Sequence, residues 1–254
     1  MDDSQSNLRK GQHRVLTGAE DAPQPLLSSA ESITQHPDEF RESTFRQRVA
    51  NLSELEAYKY DYIQSRRHIR VLTLHPGSGD EEIFCSLVAA RLDEPPPYEA
   101  LSYAWGNPNE RHSIRCDNGK FDVTVNLFAA LKRLRDISVE RLLWIDAICI
   151  NQKDEIEKGA QVQQMAEIYS SATRVLIWFG EATKSVPAAF EAIRWTRTLF
   201  PEQGALATLG SRPWFMRKWV IQEVVRGQHG LIVCGSHTLP WDVFEDTFTY
   251  MKML

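Results

Sequence analysis

The chain has 254 residues, of which 43% are hydrophobic, so it can bury a substantial core in one large or two small domains. Its 29 basic and 34 acidic residues give a net charge of -5, which excludes a basic footprint for nucleic acid or for an anionic membrane surface. No stretch approaches the roughly 18 uninterrupted apolar residues of a membrane span, and the N-terminus lacks a signal-peptide pattern. We therefore expect a cytoplasmic protein without nucleic-acid or membrane partners.

The cysteines are Cys85, Cys116, Cys149 and Cys234, which lie far apart and form no CxxC pair. No histidine accompanies them at a metal-ligand spacing, so the sequence predicts neither a metal site nor a disulfide framework. Reduced and mostly buried thiols fit this pattern best.

The N-terminal segment differs in composition from the rest of the chain. About the first 45 residues are rich in Ser, Gln, Asp and Pro with few clustered apolar residues, so burial cannot compensate the entropy cost of ordering them. Residues 45–60 are compatible with a short amphipathic helix or with a mobile lead-in. We predict a flexible tail over residues 1–57 and one folded domain over residues 58–254.

Strand signals open the predicted domain. Residues 69–77 (IRVLTLHPG) and 83–92 (IFCSLVAARL) have partly alternating apolar residues, and a short strand in YEALSYAW ends at Gly106. The segments SIRC and KFDVTV flank Asn118 and Gly119, a pair that supplies the positive φ angles of a tight turn. This pattern predicts a hairpin over residues 113–125.

After Val125 the apolar period changes from two to about 3.6, which indicates a helix with Asn126 as its cap. The apolar run RLLWIDAICI that follows is typical of a buried parallel strand. Asp154 and Glu157 then have capping-box spacing and open another helix. The expected inner stripe of that helix is Val162, Met165, Ala166, Tyr169 and Ala172.

The remaining elements complete an alternating pattern. Residues 174–180 and 230–235 predict buried strands, and residues 188–200 and 213–226 predict helices. The order predicts an α/β fold: a three-layer sandwich around a parallel sheet, with an N-terminal antiparallel strand pair and the hairpin added to it. Ligands bind such sheets at the carboxyl ends of the strands, which here are the segments AWGN, IDAICINQ and WFGE.

The helix predicted over residues 213–226 has one apolar face and one polar face, and Trp219 and Glu223 lie together on the polar face. A surface role is one interpretation, in which Trp219 covers a loop and Glu223 pairs with Arg226. The other is a cleft that presents a ring and a carboxylate to a ligand.

Several familiar site motifs are absent. The sequence has no GxGxxG after a strand, no GxxxxGK[ST], no GxSxG and no HExxH. A dinucleotide-binding dehydrogenase, a P-loop NTPase, an α/β-hydrolase and a zinc protease therefore lose support.

Three longer blocks are present: YEALSYAWG, LLWIDAICINQKDEIEKGAQVQQMAEIYSSATRVLIWFG and RPWFMRKWVIQEV. In this order they closely resemble the fungal heterokaryon incompatibility (HET) domain, over about residues 58–245. The resemblance implies a protein that triggers programmed cell death when incompatible fungal cells fuse, or in an innate-immunity-like response.

The HET family is in turn distantly similar to the Toll/interleukin-1 receptor (TIR) domain, a flavodoxin-like fold. The matching positions here are Ser102 and Tyr103 at the end of the first strand, Asp146 at the end of the second, and a WxxxE element on Trp219 and Glu223. The glutamate of that element is catalytic in TIR domains that hydrolyse NAD+. The resemblance therefore implies a catalytic Glu223, NAD+ as substrate and no cofactor.

One carboxylate suffices for this chemistry, because nicotinamide departs from NAD+ as a neutral molecule and needs no general acid. Trp105 and Trp219 are candidates for an aromatic wall that would bind the cationic ring by stacking and cation–π attraction. The complete expected substrate-binding set is Ser102, Tyr103, Trp105, Gly106, Asp146, Asn151 and Trp219.

Structural roles are open for some of these residues. Asp146 can pin its loop through backbone N–H groups, and Asn151 and Gln152 can serve a turn. Core packing is expected for four further aromatic residues, namely Trp144, Trp178, Trp214 and Tyr169.

A competing function belongs to a different class: a non-catalytic module that self-assembles and recruits a partner. In that module Glu223 would form an ion pair with Arg217 or Arg226. Self-association is expected for either class, because active TIR enzymes commonly complete their site between protomers. The loop that would do so here is Asn151–Glu157.

Overall fold

The structure is a computed structural model and describes residues 51–63, 65, 67–195, 209–217, 223 and 229–252. Most of the predicted N-terminal tail, residues 1–50, lies outside the described residues. Residues 51–57 contain one turn of 3-10 helix, Leu52–Glu54, and Ala57 forms a β-bridge with Lys120.

The described residues form one nine-stranded sheet and five α-helices. The strands are β1 (His68–Leu74), β2 (Phe84–Arg91), β3 (Glu99–Tyr103), β4 (Arg111–Cys116), β5 (Gly119–Thr124), β6 (Arg141–Trp144), β7 (Arg174–Trp178), β8 (Gly230–Cys234) and β9 (His237–Pro240). The α-helices are α1 (Val125–Leu134), α2 (Asp146–Cys149), α3 (Glu155–Ser171), α4 (Val186–Trp195) and α5 (Trp241–Lys252).

The strand order is β5-β4-β2-β1-β6-β3-β7-β8-β9. Strands β6, β3, β7 and β8 are mutually parallel, and their spatial order relative to the chain is the 2-1-3-4 order of doubly wound, flavodoxin-like sheets. The antiparallel β1–β2 pair and the β4–β5 hairpin are both present, and they extend this sheet on one side. The predicted α/β class is confirmed, whereas a specific likeness to TIR domains stays a prediction.

Burial explains why the parallel strands have continuous apolar runs. Four of the five residues of β3 and of β7 are buried, because a strand inside a parallel sheet is covered on both faces. Strand β2 has a more exposed pattern and lies toward the antiparallel side of the sheet.

The apolar run RLLWIDAICI is not a single strand. Strand β6 stops at Trp144, and Asp146 begins the short helix α2. The Asp146 carboxylate accepts the N–H of Ala147 at 2.8 Å, and a negative charge at a helix N-terminus is favourable. The predicted strand is therefore wrong beyond Trp144, and the chain turns away from the sheet there.

Asn126 does not cap helix α1. The cap is Thr124, whose hydroxyl accepts the N–H of Leu127, so the helix starts two residues earlier than predicted. The amide of Asn126 is thereby available for a tertiary role. It donates to the carbonyl of Ala104 at 2.6 Å and accepts the indole N–H of Trp178 at 2.9 Å.

Helix α3 begins as predicted, because Asp154 caps it by accepting the N–H groups of Ile156 and Glu157. Its predicted inner stripe is correct for Met165, Tyr169 and Ala172, which are buried. Val162 was expected in that stripe and is instead 39% exposed.

The predicted hairpin is confirmed as β4 and β5. The positive φ angle of its turn, 49°, is at Asp117 and not at the predicted Asn118 and Gly119. Gly119 is required for space. A Cβ atom there would lie 2.7 Å from the Cα of Tyr58, whose N–H donates to the carbonyl of Lys120.

The helix predicted over residues 213–226 is wrong at its start. Pro213–Met216 is a turn of 3-10 helix, and Arg217 after it is extended, with φ -82° and ψ 136°. Residues 218–222 and 224–226 lie outside the described residues. The helix predicted over residues 188–200 is present as α4, and residues 196–200 also lie outside. No helix in the described ranges is long and apolar enough to cross a bilayer.

Candidate functional site

The carboxyl ends of β3 and β7 lie side by side where the strand order reverses. Ser102 and Tyr103 end β3, and Trp178 ends β7. Beyond these ends the chain turns through Gly106 and Gly180, which have φ angles of 79° and 93° and so use conformations that favour glycine. In doubly wound sheets this position is where ligands bind.

Glu223 lies at this edge and is completely buried, with an exposed fraction of 0%. The Arg217 guanidinium binds it in a fork, with nitrogen–oxygen distances of 2.7 and 2.8 Å. The hydroxyl of Ser102 donates to the same carboxylate at 2.5 Å. The prediction that Glu223 lies on a solvent-facing side is therefore wrong, and its predicted ion pair with Arg217 is present.

Ser102 connects several side chains of this cluster. Besides donating to Glu223, its oxygen accepts the indole N–H of Trp214 at 2.8 Å and an N–H of Arg217 at 3.3 Å. Trp214 is buried against Phe179 and other aromatic rings, as predicted for a core residue. Its hydrogen bond to Ser102 was not predicted, because the two residues are separated by 112 positions. We refer to Ser102, Trp214, Arg217 and Glu223 as the Ser102 cluster.

Asp146 forms a second polar contact beside the cluster. Its carboxylate accepts the indole N–H of Trp105 at 2.9 Å as well as the backbone N–H of Ala147. Trp105 is 44% exposed, so its ring remains accessible while its N–H is held. Asp146 thus pins its loop, as the structural interpretation expected, and also orients a surface tryptophan.

Electrostatics connect Asp146 with the Ser102 cluster. The net pKa of Asp146 is raised to about 6: burial is the largest cause and the Glu223 charge adds to it, whereas the Trp105 hydrogen bond and the Arg217 charge oppose it. Burial lowers the pKa of Arg217, but the charge and hydrogen bonds of Glu223, with smaller contributions from Tyr169 and Asp146, together outweigh burial, and the net pKa is raised. The Arg217 charge therefore offsets only part of the effect of burial on Asp146, whose ionisation is disfavoured.

Comparison with known proteins identifies the family. Residues 98–223 match the family model described as Heterokaryon incompatibility protein (HET). Over 140 residues the chain is 39% identical to "Heterokaryon incompatibility protein 6, OR allele" of Neurospora crassa. The chain contains a HET domain. No solved structure matches it.

The matched region relates directly to the site. It begins at Tyr98, just before β3, and ends at Glu223, so it includes every member of the Ser102 cluster. The aligned part covers 50% of this chain and 21% of the Neurospora protein, so the chain spans only about a fifth of that relative's length.

The predicted site residues Asn151 and Gln152 make hydrogen bonds within the loop after β6. The side chain of Asn151 accepts the N–H of Lys153 at 3.2 Å, and the N–H of Asn151 donates to Glu157 at 2.7 Å, which is a turn role. Gln152 donates to the carbonyl of Asp146 at 2.8 Å. Trp219 lies outside the described residues.

The loop after β6 is held by a buried ion pair. Arg70 on β1 is 4% exposed and contacts both carboxylate oxygens of Glu157, at 2.6 and 3.1 Å. The same guanidinium donates to the carbonyls of Cys149 and Asp61. The hydroxyl of Tyr60 donates to the carbonyl of Ile148 at 2.9 Å, so the lead-in before β1 also fixes this loop.

The described ranges contain no group of three or more His, Cys, Asp or Glu side chains that could hold a metal ion. All cysteines are buried and unpaired, which confirms the predicted burial of the thiols.

Proposed function

We propose that this HET-domain chain triggers programmed cell death of the heterokaryon-incompatibility type, and that it does so by cleaving NAD+. The family match and the name of the Neurospora relative support the incompatibility role. The observation that supports the chemistry is the position of the Ser102 cluster, which places the Glu223 carboxylate at the carboxyl end of β3.

In the proposed reaction, the bond between C1′ of the ribose and the nicotinamide nitrogen breaks, and the bonding electrons leave with neutral nicotinamide. Positive charge develops on the ribose, and the Glu223 carboxylate stabilises it. Water then adds to C1′ and loses a proton, which gives ADP-ribose, or a hydroxyl of the substrate adds and gives a cyclised product. No general acid is needed at the leaving group.

Trp105 and Asp146 have supporting roles in this proposal. The exposed ring of Trp105 offers a surface for the cationic nicotinamide ring, an attraction worth on the order of 1 kcal/mol. Asp146 fixes that ring through the indole N–H. The remaining expected contacts, through Tyr103, Gly106, Asn151 and Trp219, belong to the same proposal.

The carboxylate must be released before it can act on a ribose. Arg217 holds both oxygens of Glu223, and its side chain is 18% exposed, whereas Ser102 is fully buried. Arg217 is therefore the partner that can exchange Glu223 for an anionic group of the substrate. We infer that the ion-paired arrangement is the resting state and that assembly or substrate binding opens it.

A second candidate function is a non-catalytic module that self-assembles and recruits a partner. The contacts of Glu223 favour this module, because both of its carboxylate oxygens already have hydrogen-bond partners and none of its side chain is exposed. In this case Glu223 would serve only to join Arg217 to the end of β3.

The test is nicotinamide release from NAD+ by the purified full chain, in solution at high concentration and on a crowding surface. Glu223→Gln removes the charge, and Glu223→Asp keeps the charge but withdraws it from the ribose. Glu99→Gln is the matched control, since Glu99 lies at the other end of β3 from Ser102, has a side chain only 12% exposed, and pairs with Arg141 and Arg174.

We expect both Glu223 variants to lose nicotinamide release and Glu99→Gln to retain it, with folding checked for each by circular dichroism. Killing in a fungal host should follow the same order. Killing that survives Glu223→Gln in a folded protein, with no nicotinamide release by the native chain, would favour the assembly module and overturn the NAD+ proposal.

A further inference from the structure

Strand β2 has an open edge over half its length. It pairs with β1 along the full range from Cys85 to Arg91, but it pairs with β4 only at Phe84 and Cys85. Strand β4 ends at Cys116, where the chain turns back into β5. Within the described ranges, residues 88–91 have no strand on their outer side.

The backbone groups on this edge can be assigned from their neighbours. Leu87 donates its N–H to the carboxylate of Asp117 at 3.2 Å, and the carbonyl of Cys85 accepts the N–H of Asp117 at 2.9 Å. Both contacts point away from β1. Because backbone groups alternate along a strand, the N–H and C=O groups of Ala89 and Arg91 also point outward.

The side chains on this edge are small or apolar at its centre. Val88 is 60% exposed, which is a large fraction for a valine in the middle of a strand. Ala89 is exposed and Ala90 is half-buried, so no bulky side chain blocks the approach of another backbone. Exposed edges of this kind are templates for pairing with a further strand.

We propose that a second copy of this chain binds here, with the two β2 strands antiparallel about a twofold axis at Ala89. Each Ala89 would donate its N–H to the carbonyl of the other Ala89. Each Arg91 would donate its N–H to the carbonyl of Leu87 in the other copy. The two sheets would then form one continuous sheet.

Self-complementarity is the reason for choosing a second copy as the occupant. In this register Val88 of each copy faces Ala90 of the other copy on one side of the sheet. Both exposed valines are thereby covered. On the other side Arg91 faces Leu87, next to the Asp117 carboxylate that holds the Leu87 N–H. At both ends of the pairing, Arg91 of one copy thus lies near the Asp117 carboxylate of the other.

This surface is distinct from the Ser102 cluster, and the proposal does not depend on NAD+ cleavage. It provides a physical basis for the self-association expected from the sequence. It also leaves the carboxyl edge of β3 and β7 untouched, since β1 and β6 separate β2 from β3.

The first test is the mass of the full chain in solution, measured by sedimentation equilibrium over a range of concentrations. Val88→Lys should weaken dimerisation by roughly tenfold or more, because a charge would face Ala90 of the other copy. Val139→Lys is the matched control: Val139 is 62% exposed, close to the 60% of Val88, and lies in the loop before β6. We expect that variant to dimerise like the native chain.

Two further variants test the register. Ala89→Pro removes an outward N–H without breaking a hydrogen bond to β1, so it should abolish dimers and leave the monomer folded. Ala89→Cys should be cross-linked between copies by a short bifunctional thiol reagent, with little background because the native cysteines are buried.

The proposal is overturned if the native chain is monomeric at every concentration. It is also overturned if dimers persist in both Val88→Lys and Ala89→Pro, or if Ala89→Cys yields no cross-linked dimer. A dimer lost equally in Val88→Lys and Val139→Lys would place the interface elsewhere.

Discussion

Arg217 and Glu223 form a two-point ion pair in which the carboxylate is completely buried and the guanidinium is 18% exposed. Removing both charges from water has a large free-energy cost, which the mutual attraction and the hydrogen bonds offset. Such a pair adds little net stability. It does fix the position of Glu223, because two contacts with Arg217 and one hydrogen bond from Ser102 hold the carboxylate.

Arg217→Met should therefore be strongly destabilising. It leaves the Glu223 carboxylate buried without its cation, and breaking a buried pair in this way costs about 3–5 kcal/mol. Urea unfolding of the full chain measures the loss. Arg67→Met is the control, because Arg67 pairs with Asp93 and Glu167 at the surface and should change stability far less. Equal losses in the two variants would contradict the argument.

Stability should depend on the protonation of Asp146. Burial raises the pKa of Asp146 to about 6 in the folded chain, whereas an unfolded aspartate titrates near ~3.9. The folded state binds more protons between these values, so the stabilising contribution is complete below the unfolded pKa and is lost as pH rises through about 6. The contribution is on the order of 3 kcal/mol.

The measurement is the free energy of unfolding of the native chain and of Asp146→Asn at a series of pH values. The difference between the two free energies of unfolding should change between about pH 4 and pH 6, and it should be constant above about pH 6. A constant difference over the whole series would show that Asp146 titrates normally, in contact with solvent.

Glu157→Gln should loosen the loop after β6. The change leaves Arg70 buried without its anion and weakens the acceptor for the N–H of Asn151, at a cost of about 3 kcal/mol. Amide hydrogen exchange should accelerate over residues 150–157. Glu155→Gln, in the same turn but with a side chain 79% exposed, should leave exchange unchanged. Acceleration confined to other parts of the chain would contradict this role.

Two glycines should respond to alanine in opposite ways. Gly119→Ala brings a Cβ atom within 2.7 Å of the Tyr58 backbone and should cost about 1–3 kcal/mol by displacing the lead-in. Gly159 lies within helix α3, and a Cβ atom added there would meet no neighbouring atom within 4 Å. Gly159→Ala should therefore stabilise the chain by about 0.5–1 kcal/mol. Thermal unfolding of both variants compares the signs directly, and a loss of stability in Gly159→Ala would contradict the reasoning.

Local patterns in the sequence predict most of the elements of this fold. The cap of α3 at Asp154 and the hairpin of β4 and β5 follow from residues within a few positions of each other. The run after Arg141 was misassigned because a buried apolar segment has no periodicity that separates strand from helix. The same limit hides where β6 ends and α2 begins.

The site could be predicted only in part. Family resemblance indicated Ser102, Asp146 and Glu223, but the burial of Glu223 was missed. The sequence pattern predicts one helix over residues 213–226, but the chain is extended at Arg217. A helical period counted from residue 213 therefore does not show which way Glu223 points. The link between Asn126 and Trp178 spans 52 positions and leaves no local signal.

The insertion of β6 between β1 and β3 delays the pairing of these two strands during synthesis. Strand β6 follows β4, β5 and α1 in the chain, yet it pairs with β1 on one side and β3 on the other. Before Arg141–Trp144 has formed, β1 has one unpaired edge and β3 has two, because both partners of β3, namely β6 and β7, follow it in the chain. Non-local pairing of this kind slows folding, and the exposed edges are open to pairing with other chains. The nascent protein therefore exposes unpaired strand edges until β6, and after it β7, have emerged from the ribosome.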